Sequence, residues 1–410
     1  MSRAVSHASS EGNASAPRSS RSVILVTHSQ YPDDIRNEKE ALALRDAGYR
    51  VTVLCLRRPR QPAREVSQGI EVRRLPIEHK RGGAARYLFE YAGFFLIAGW
   101  SLSFLAFSRR PIAVQVSNPP DFLVLVALVP RLLGARVVLD MHEPVPELYA
   151  SIQESPLTSP RIRALAWVER MATRFAHRVV TVSEACRETF TRRGTPREKI
   201  TVVPNVCEAR LFAPSRFPDD SVRGPGDGPL RLIYHGTLVP RYGVDVAVRA
   251  MTYIRDRVPD ARLAVYGRGE FAAELERLAR DLGVADRVEL GGFVPLEEVP
   301  GKIARATVGV VPNRKDVFTD LVLPTKLFEY IAMGKPVVAS RTAALLAHFG
   351  EDDLYLFDAE DAEGLARAVI AVHADPAGAR ARARRLQTRC AGERWEVVRD
   401  LYVSIYDGLA

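Results

Sequence analysis

Residues Leu321–Ser340, LVLPTKLFEYIAMGKPVVAS, hold a helix start, two opposite charges and a buried strand within twenty residues. Pro324 suits a first helical position, and Leu327, Phe328 and Ile331 recur three to four apart, as the buried side of one short helix requires. Gly334 closes that helix, Lys335-Pro336 forbids its continuation, and Val337-Val338-Ala339 reads as a fully buried strand of a parallel sheet. The helix then points its amino terminus at a crevice. Free N–H groups and the positive end of the macrodipole meet there beside Pro324, Thr325 and Lys326, so an anion is the natural occupant. Glu329 lies one turn further on, near the same face, where a carboxylate can accept hydrogen bonds from ribose hydroxyls. A nucleoside diphosphate satisfies both residues. Without a ligand, the same pair reads as a surface Lys–Glu pair on an ordinary helix.

The P-x-K-x-x-E-Y form, here Pro324, Lys326, Glu329 and Tyr330, together with the following PVVAS strand, resembles the retaining glycosyltransferases of family 4, also called group 1. That resemblance implies the GT-B fold, which is α/β: two doubly wound Rossmann-like domains with a crevice between them. In the family, two glutamates separated by seven residues precede this strand, and the second holds the donor's ribose. Glu329 matches the second. The first falls on Leu321, which leaves the sugar-contacting role to Asp316 or Asp320. The variant is similar to that of members which build surface polysaccharides and lipid-linked glycans.

A chain of 410 residues with 47% hydrophobic and 26% charged side chains has the composition of a soluble two-domain protein. Cys55, Cys186, Cys207 and Cys390 are scattered without C-x-x-C spacing, which fits a reduced cytoplasmic chain without structural zinc. Net charge is +9, and the first 212 residues carry the excess, with 31 Lys/Arg against 20 Asp/Glu. An anionic membrane surface, a phosphorylated acceptor or nucleic acid could each answer that charge. Nucleic acid ranks last, because the aromatics sit in apolar runs and not among the arginines.

In chain order, residues 1–20 read as a disordered tail without a secretory signal. Residues 21–214 form an expected acceptor-side domain. Ser22–Thr27 is a strand, a helix follows that Gly48 closes, and Val51–Leu56 is the next strand, so the chain opens β-α-β. Tyr87–Phe107 is apolar apart from Glu90 and long enough to span a bilayer, yet it sits between strands, where the fold needs a crossover helix. The expectation is a packed or membrane-touching helix, with the protein peripheral on the inner face of the cell membrane. The strand Arg136–Leu139 delivers Asp140, His142 and Glu143 to its carboxyl end, where a histidine and carboxylates can handle protons and sugar hydroxyls; as loop caps they would be structural only. Pro204 and Asn205 match the start of the family's P-N-G turn.

Residues 215–229, rich in Pro and Gly, read as a linker, and 230–392 as the nucleotide-sugar-binding domain. Its strands end in His235-Gly236-Thr237, Gly267-Arg268-Gly269 and Gly291-Gly292-Phe293, and glycine turns after successive strands suit a nucleotide crevice. The family often places a basic residue at the positions of Thr237 and Tyr242; Arg241 is the nearest substitute here. Helix 393–409, with Trp395, Val398, Leu401 and Ile405 on one side, is expected to pack back on the first domain.

The resemblance thus implies transfer of a sugar from a nucleotide-diphosphate donor to a glycan or lipid-linked acceptor, with no metal and no cofactor. His142, Glu143 and Asp316 are the candidate catalytic residues. Gly236, Thr237, Arg241, Gly267, Gly292, Pro324, Thr325, Lys326 and Glu329 are the candidate donor-binding set. A sugar-nucleotide 2-epimerase on the same fold, or a catalytically degenerate nucleotide-binding subunit, are the alternatives.

Overall fold

The computed structural model describes residues 18, 21–77, 84–218 and 222–409. The tail expected over 1–20 lies outside them except for Arg18, as do residues 219–221 of the expected linker. The chain divides into two compact units: Met1–Ser117 with Leu123–Leu139 and Val403–Ala410, and Asn118–Phe122 with Asp140–Tyr402.

The first unit opens with β1 (Ser22–Gln30), α1 (Ile35–Asp46) and β2 (Arg50–Leu56), as the β-α-β reading requires. Asp34 caps α1 by accepting from the backbone N–H groups of Arg36 and Asn37. A hairpin of β3 (Arg64–Ser67) and β4 (Ile70–Leu75) follows, then α2 (Ala84–Arg109), β5 (Ala113–Ser117), α3 (Leu128–Leu132) and β6 (Arg136–Met141). Between β5 and α3, Asp121–Ala127 is a 3-10 helix. Val23 of β1 lies opposite both Val51 and Ala113, all in parallel register, and these strands are buried along most of their length because both sheet faces are covered.

The second unit begins with α4 (Val145–Ile152), α5 (Pro160–Phe175), β7 (Arg178–Thr181), α6 (Glu184–Arg192) and β8 (Ile200–Val202). Strands β1 to β8 form one sheet in the order β3-β4-β2-β1-β5-β6-β7-β8; the β3–β4 pair is antiparallel. A second β/α series follows: β9 (Arg231–His235), α7 (Val244–Ile254), β10 (Arg262–Tyr266), α8 (Ala272–Asp281), β11 (Val288–Gly292), α9 (Val299–Ala304) and β12 (Val308–Val311). It continues through α10 (Thr325–Ala332), β13 (Val337–Ser340), α11 (Ala343–His348), β14 (Tyr355–Phe357), α12 (Ala362–Ala374) and α13 (Pro376–Arg389) to α14 (Trp395–Asp407). The second sheet has the order β11-β10-β9-β12-β13-β14, and its neighbouring strands are parallel. Each unit is thus α/β, and the order reverses beside β9, the switch point where the strand carboxyl ends open a crevice for ligands.

In the stretch that opened the reading, Pro324 is the extended N-cap and not the first helical residue, and α10 is buried on every side from Lys326 to Ala332 and not on one side alone. On α14, Leu401 is half-exposed, and the buried stripe is Trp395, Tyr402, Val403, Ile405 and Tyr406. Within the first unit, Tyr406 hydrogen-bonds Gln115 and Tyr49 donates to Asp407.

Lys335, read from sequence as part of a helix stop, is buried at 2% exposure and donates to the carbonyls of Arg223, Ala304 and Ala306. Burial pushes its amine down to about 7, partly opposed by Asp227. One side chain thereby closes three loop ends. Lys335→Met keeps the length but leaves three buried carbonyls unpaired, and is expected to lower unfolding free energy by about 3 kcal/mol or more, read by urea denaturation.

Candidate functional site

The donor-site candidates of the second unit gather around the amino end of α10. Pro324 is the N-cap residue and supplies no side-chain bond; its carbonyl accepts from Leu327 N at 3.0 Å, and the N–H groups of Thr325 and Lys326 receive no side-chain cap. Thr325 is fixed from outside, its hydroxyl accepting from Asn205 Nδ2 at 2.8 Å. Lys326 is 9% exposed, with Nζ 3.4 Å from Tyr234 Oη, 4.5 Å from the Tyr234 ring centroid and 4.9 Å from that of Tyr242. Arg241 lies against the same Tyr242 ring, 5.1 Å from its centroid, and 5.8 Å from that of Phe318. Two cations therefore share one tyrosine. Among the described residues, no carboxylate lies within ion-pair distance of Lys326 Nζ, and Arg241 Nε is buried without a hydrogen-bond partner.

The surface Lys–Glu pair is excluded, because both residues are buried and Glu329 turns instead to His235, its Oε2 2.9 Å from Nε2. Tyr330 holds this arrangement from below, donating to Ile233 O at 3.2 Å with its ring edge-on to His235. Gly309 makes room for that ring, since a Cβ there would lie 2.4 Å from it.

Glycines bring the loops together. A Cβ on Gly267 would stand 1.8 Å from Gly236 O, and one on Gly243, which has φ +62°, would stand 1.9 Å from Pro312 O. Gly236 in turn faces the Lys326 stem, its Cβ direction 3.2 Å from Cε. Gly292 O accepts from Gly267 N at 2.7 Å, which ties the third glycine turn to the second. Thr237 contributes through its backbone, its carbonyl accepting from Tyr234 Oη.

The catalytic candidates have other surroundings. Asp316 Oδ1 accepts from the backbone of Phe318 and Thr319 and Oδ2 from Ser151 Oγ, so this carboxylate shapes its own loop. His142 Nε2 lies 2.5 Å from Oδ2 of the fully buried Asp140. The His142–Glu143 backbone is held by Asn118, whose Oδ1 accepts from both N–H groups while Nδ2 donates to Glu143 O and Asp121 Oδ1. Asp121 is buried, and desolvation pushes its carboxyl up to about 7.

Residues 36–206 match the family description "Glycosyl transferase 4-like domain", and residues 229–375 match "Glycosyl transferases group 1". The chain belongs to glycosyltransferase family 4, group 1. Among curated relatives of this chain, a GDP-mannose-dependent alpha-(1-6)-phosphatidylinositol monomannoside mannosyltransferase of Mycolicibacterium smegmatis is 36% identical over 171 residues, 40% of this chain and 44% of the relative. Alpha-D-kanosaminyltransferase of Streptomyces kanamyceticus is 26% identical over 74% of this chain and 80% of the relative. The first match thus spans less than half the relative's length. Sucrose-phosphate synthase from Thermosynechococcus elongatus superimposes with a TM-score of 0.73 over 95% of this chain and 99% of that one, at 20% identity, and shows the shared GT-B fold.

Four residues of this cluster escaped the reading of the sequence as candidates: Tyr234, His235, Tyr242 and Phe318. The H-G-T turn after β9 was the available signal for His235. The rings of Tyr234 and Tyr242 could not be picked out, because they face a lysine 92 and 84 residues further along the chain.

Burial lowers the Lys326 amine from 10.5 to about 8, with Glu329 opposing the shift. The unfolded chain therefore binds the extra proton between about pH 8 and 10.5, so this group's contribution to stability rises with pH across that window and is least favourable at neutral pH. A lysine near a helix amino terminus adds a further cost of about 0.3–1 kcal/mol. Lys326→Gln is accordingly expected to leave or raise the melting temperature of the empty protein at pH 7, while sharply reducing the rise given by a nucleoside diphosphate. An equal ligand-induced rise in variant and parent would remove Lys326 from the phosphate site.

Proposed function

We propose that this chain transfers a sugar, with retention, from a nucleotide-diphosphate sugar to a glycan or lipid-linked acceptor in the synthesis of a surface polysaccharide or glycolipid. The observation that carries the reading is Lys326, a buried cation at the amino end of α10 that shares the Tyr242 ring with Arg241 and has no carboxylate within ion-pair distance among the described residues. A buried cation with unpaired neighbours favours an anion that brings its own charge.

In this reading the diphosphate lies against the first-turn N–H groups, Lys326 and Arg241. Charge grows on that diphosphate as the glycosidic bond breaks, and donors already in place stabilise it without reorganising. Gly236 and Gly267 let backbone approach the phosphates, and Gly292 carries the loop that meets the base. Glu329, positioned by His235, accepts from the ribose hydroxyls. His142, oriented by Asp140, and Glu143 meet the sugar hydroxyls, with Asp316 holding the loop that stands in for the first motif glutamate. The relative that acts on a phosphatidylinositol monomannoside supports a lipid-linked acceptor, and the transferase names of the relatives favour transfer over epimerisation.

Incubation with a panel of nucleotide sugars, GDP-mannose first, tests this. Slow release of nucleoside diphosphate without acceptor, faster with one, is expected. Appearance of a 2-epimer would establish the epimerase, and binding without turnover a degenerate subunit. Glu329→Ala is expected to fold and to lose roughly ten- to a hundredfold in turnover, the effect of one charge-assisted hydrogen bond worth about 1.5–3 kcal/mol. Unchanged kinetics in that variant would take Glu329 out of the site.

A further inference from the structure

Helix α2 of the first unit is long and apolar enough to cross a membrane by length and composition, and it is also the crossover helix of a sheet. Its two sides differ. Phe94, Ala98, Leu102 and Leu105 are fully buried where α2 packs on β1, β4 and α3. Glu90, also buried, sits 3.4 Å from His28 at the end of β1, which anchors the amino-terminal part of the helix to the sheet.

Among the described residues, nothing covers the opposite side. Phe89, Leu96, Trp100, Phe104 and Phe107 are 78%, 69%, 81%, 65% and 66% exposed. At about 100° per residue they fall within an arc of about 80° and run along roughly 27 Å of helix. Leu128 and Leu132 on the adjoining α3 are also exposed. No polar group interrupts the stripe from within: Ser103 Oγ donates to Gly99 O and Ser108 Oγ to Phe104 O, which turns both hydroxyls onto the helix backbone. Lone exposed leucines are ordinary, but an aromatic stripe of this length is not.

Charge decides among occupants. Between Tyr91 and Leu139 the sequence holds four arginines, Arg109, Arg110, Arg131 and Arg136, and one acid, Asp121, which is 2% exposed. Arg109 is engaged with Glu71, while Arg110 and Arg136 are exposed. A second copy of the chain would bring the exposed Arg110 and Arg136 towards their own counterparts, with no exposed carboxylate between residues 91 and 139 to pair them. An anionic lipid surface offers both hydrocarbon for the aromatics and phosphate for the arginines.

We propose that the exposed face of α2 and α3 docks on the anionic leaflet of a membrane, with α2 lying in the interfacial plane and not crossing it. A spanning α2 would leave β1 and β4 without the helix that covers them and would carry Glu90 into hydrocarbon. The proposal goes beyond the catalytic reading and does not depend on which sugar is transferred.

The test is co-sedimentation of the full chain with phosphatidylcholine vesicles, plain or containing about 30% phosphatidylglycerol. Binding to the anionic vesicles is expected, weakened by salt and released by alkaline carbonate. Trp100→Ser with Phe104→Ser, both at exposed positions, is expected to weaken it by roughly tenfold or more. Donor hydrolysis by the double variant is expected to equal the parent's, which separates failure here from failure of the catalytic assignment. Equal binding by the double variant, equal binding to neutral vesicles, or retention after carbonate would each overturn the proposal. So would a concentration-dependent dimer that the double variant abolishes, since the face would then be a contact between copies.

Discussion

Lys326 is buried beside two tyrosine rings with no carboxylate at ion-pair distance among the described residues, and much of the second unit is arranged to tolerate that. A buried ammonium loses hydration, which the faces of Tyr234 and Tyr242 replace only in part, and the depressed pKa is the trace of the remainder. The rings reach the lysine because Gly236 and Gly267 let two strand ends close to distances that no side chain would permit. Tyr330, on the same helix, locks α10 to β9 through Ile233 and needs Gly309 for its ring. Removing the cation would relax this cluster; supplying an anion would complete it.

The loop that presents His142 shows a second way of fixing a side chain. Asn118 alone satisfies two N–H groups and one carbonyl around Glu143, and Asp121 holds Asn118 in turn. Asp140, with no exposure, sits against the imidazole. Positioning therefore comes from short polar side chains next to a sheet's carboxyl edge, where backbone ends need partners in any case.

Motif residues and site residues coincide only in part. Glu329, Lys326 and the glycine turns lie together as their pattern implied. Asp316 stands close to the site through Phe318 but spends its carboxylate on its own loop and Ser151. Leu321, at the place of the family's first glutamate, contributes a carbonyl that accepts from Ser183. The chain keeps the backbone course of the motif while the side chain there is apolar.

Local pattern determined a good deal. The strand Val337–Ser340, short and mostly apolar after a helix stop, could be read because a strand buried on both faces favours apolar side chains. The start and end of α10 were written in Pro324 and Gly334, whose backbone preferences act within one turn. The alternation of helix and strand fixed the class of fold. Only tertiary structure decided which of two equivalent readings held for Lys326 and Glu329, since pairing with each other and facing apart have the same sequence spacing. Tertiary structure likewise picked His235 as the partner of Glu329, across ninety-four residues. For α2 the apolar run was evident, but the split into a packed side and an open side depends on what β1, β4 and α3 cover. Spacing along a chain sets which side chains share a face; what that face meets is a property of residues far away in sequence.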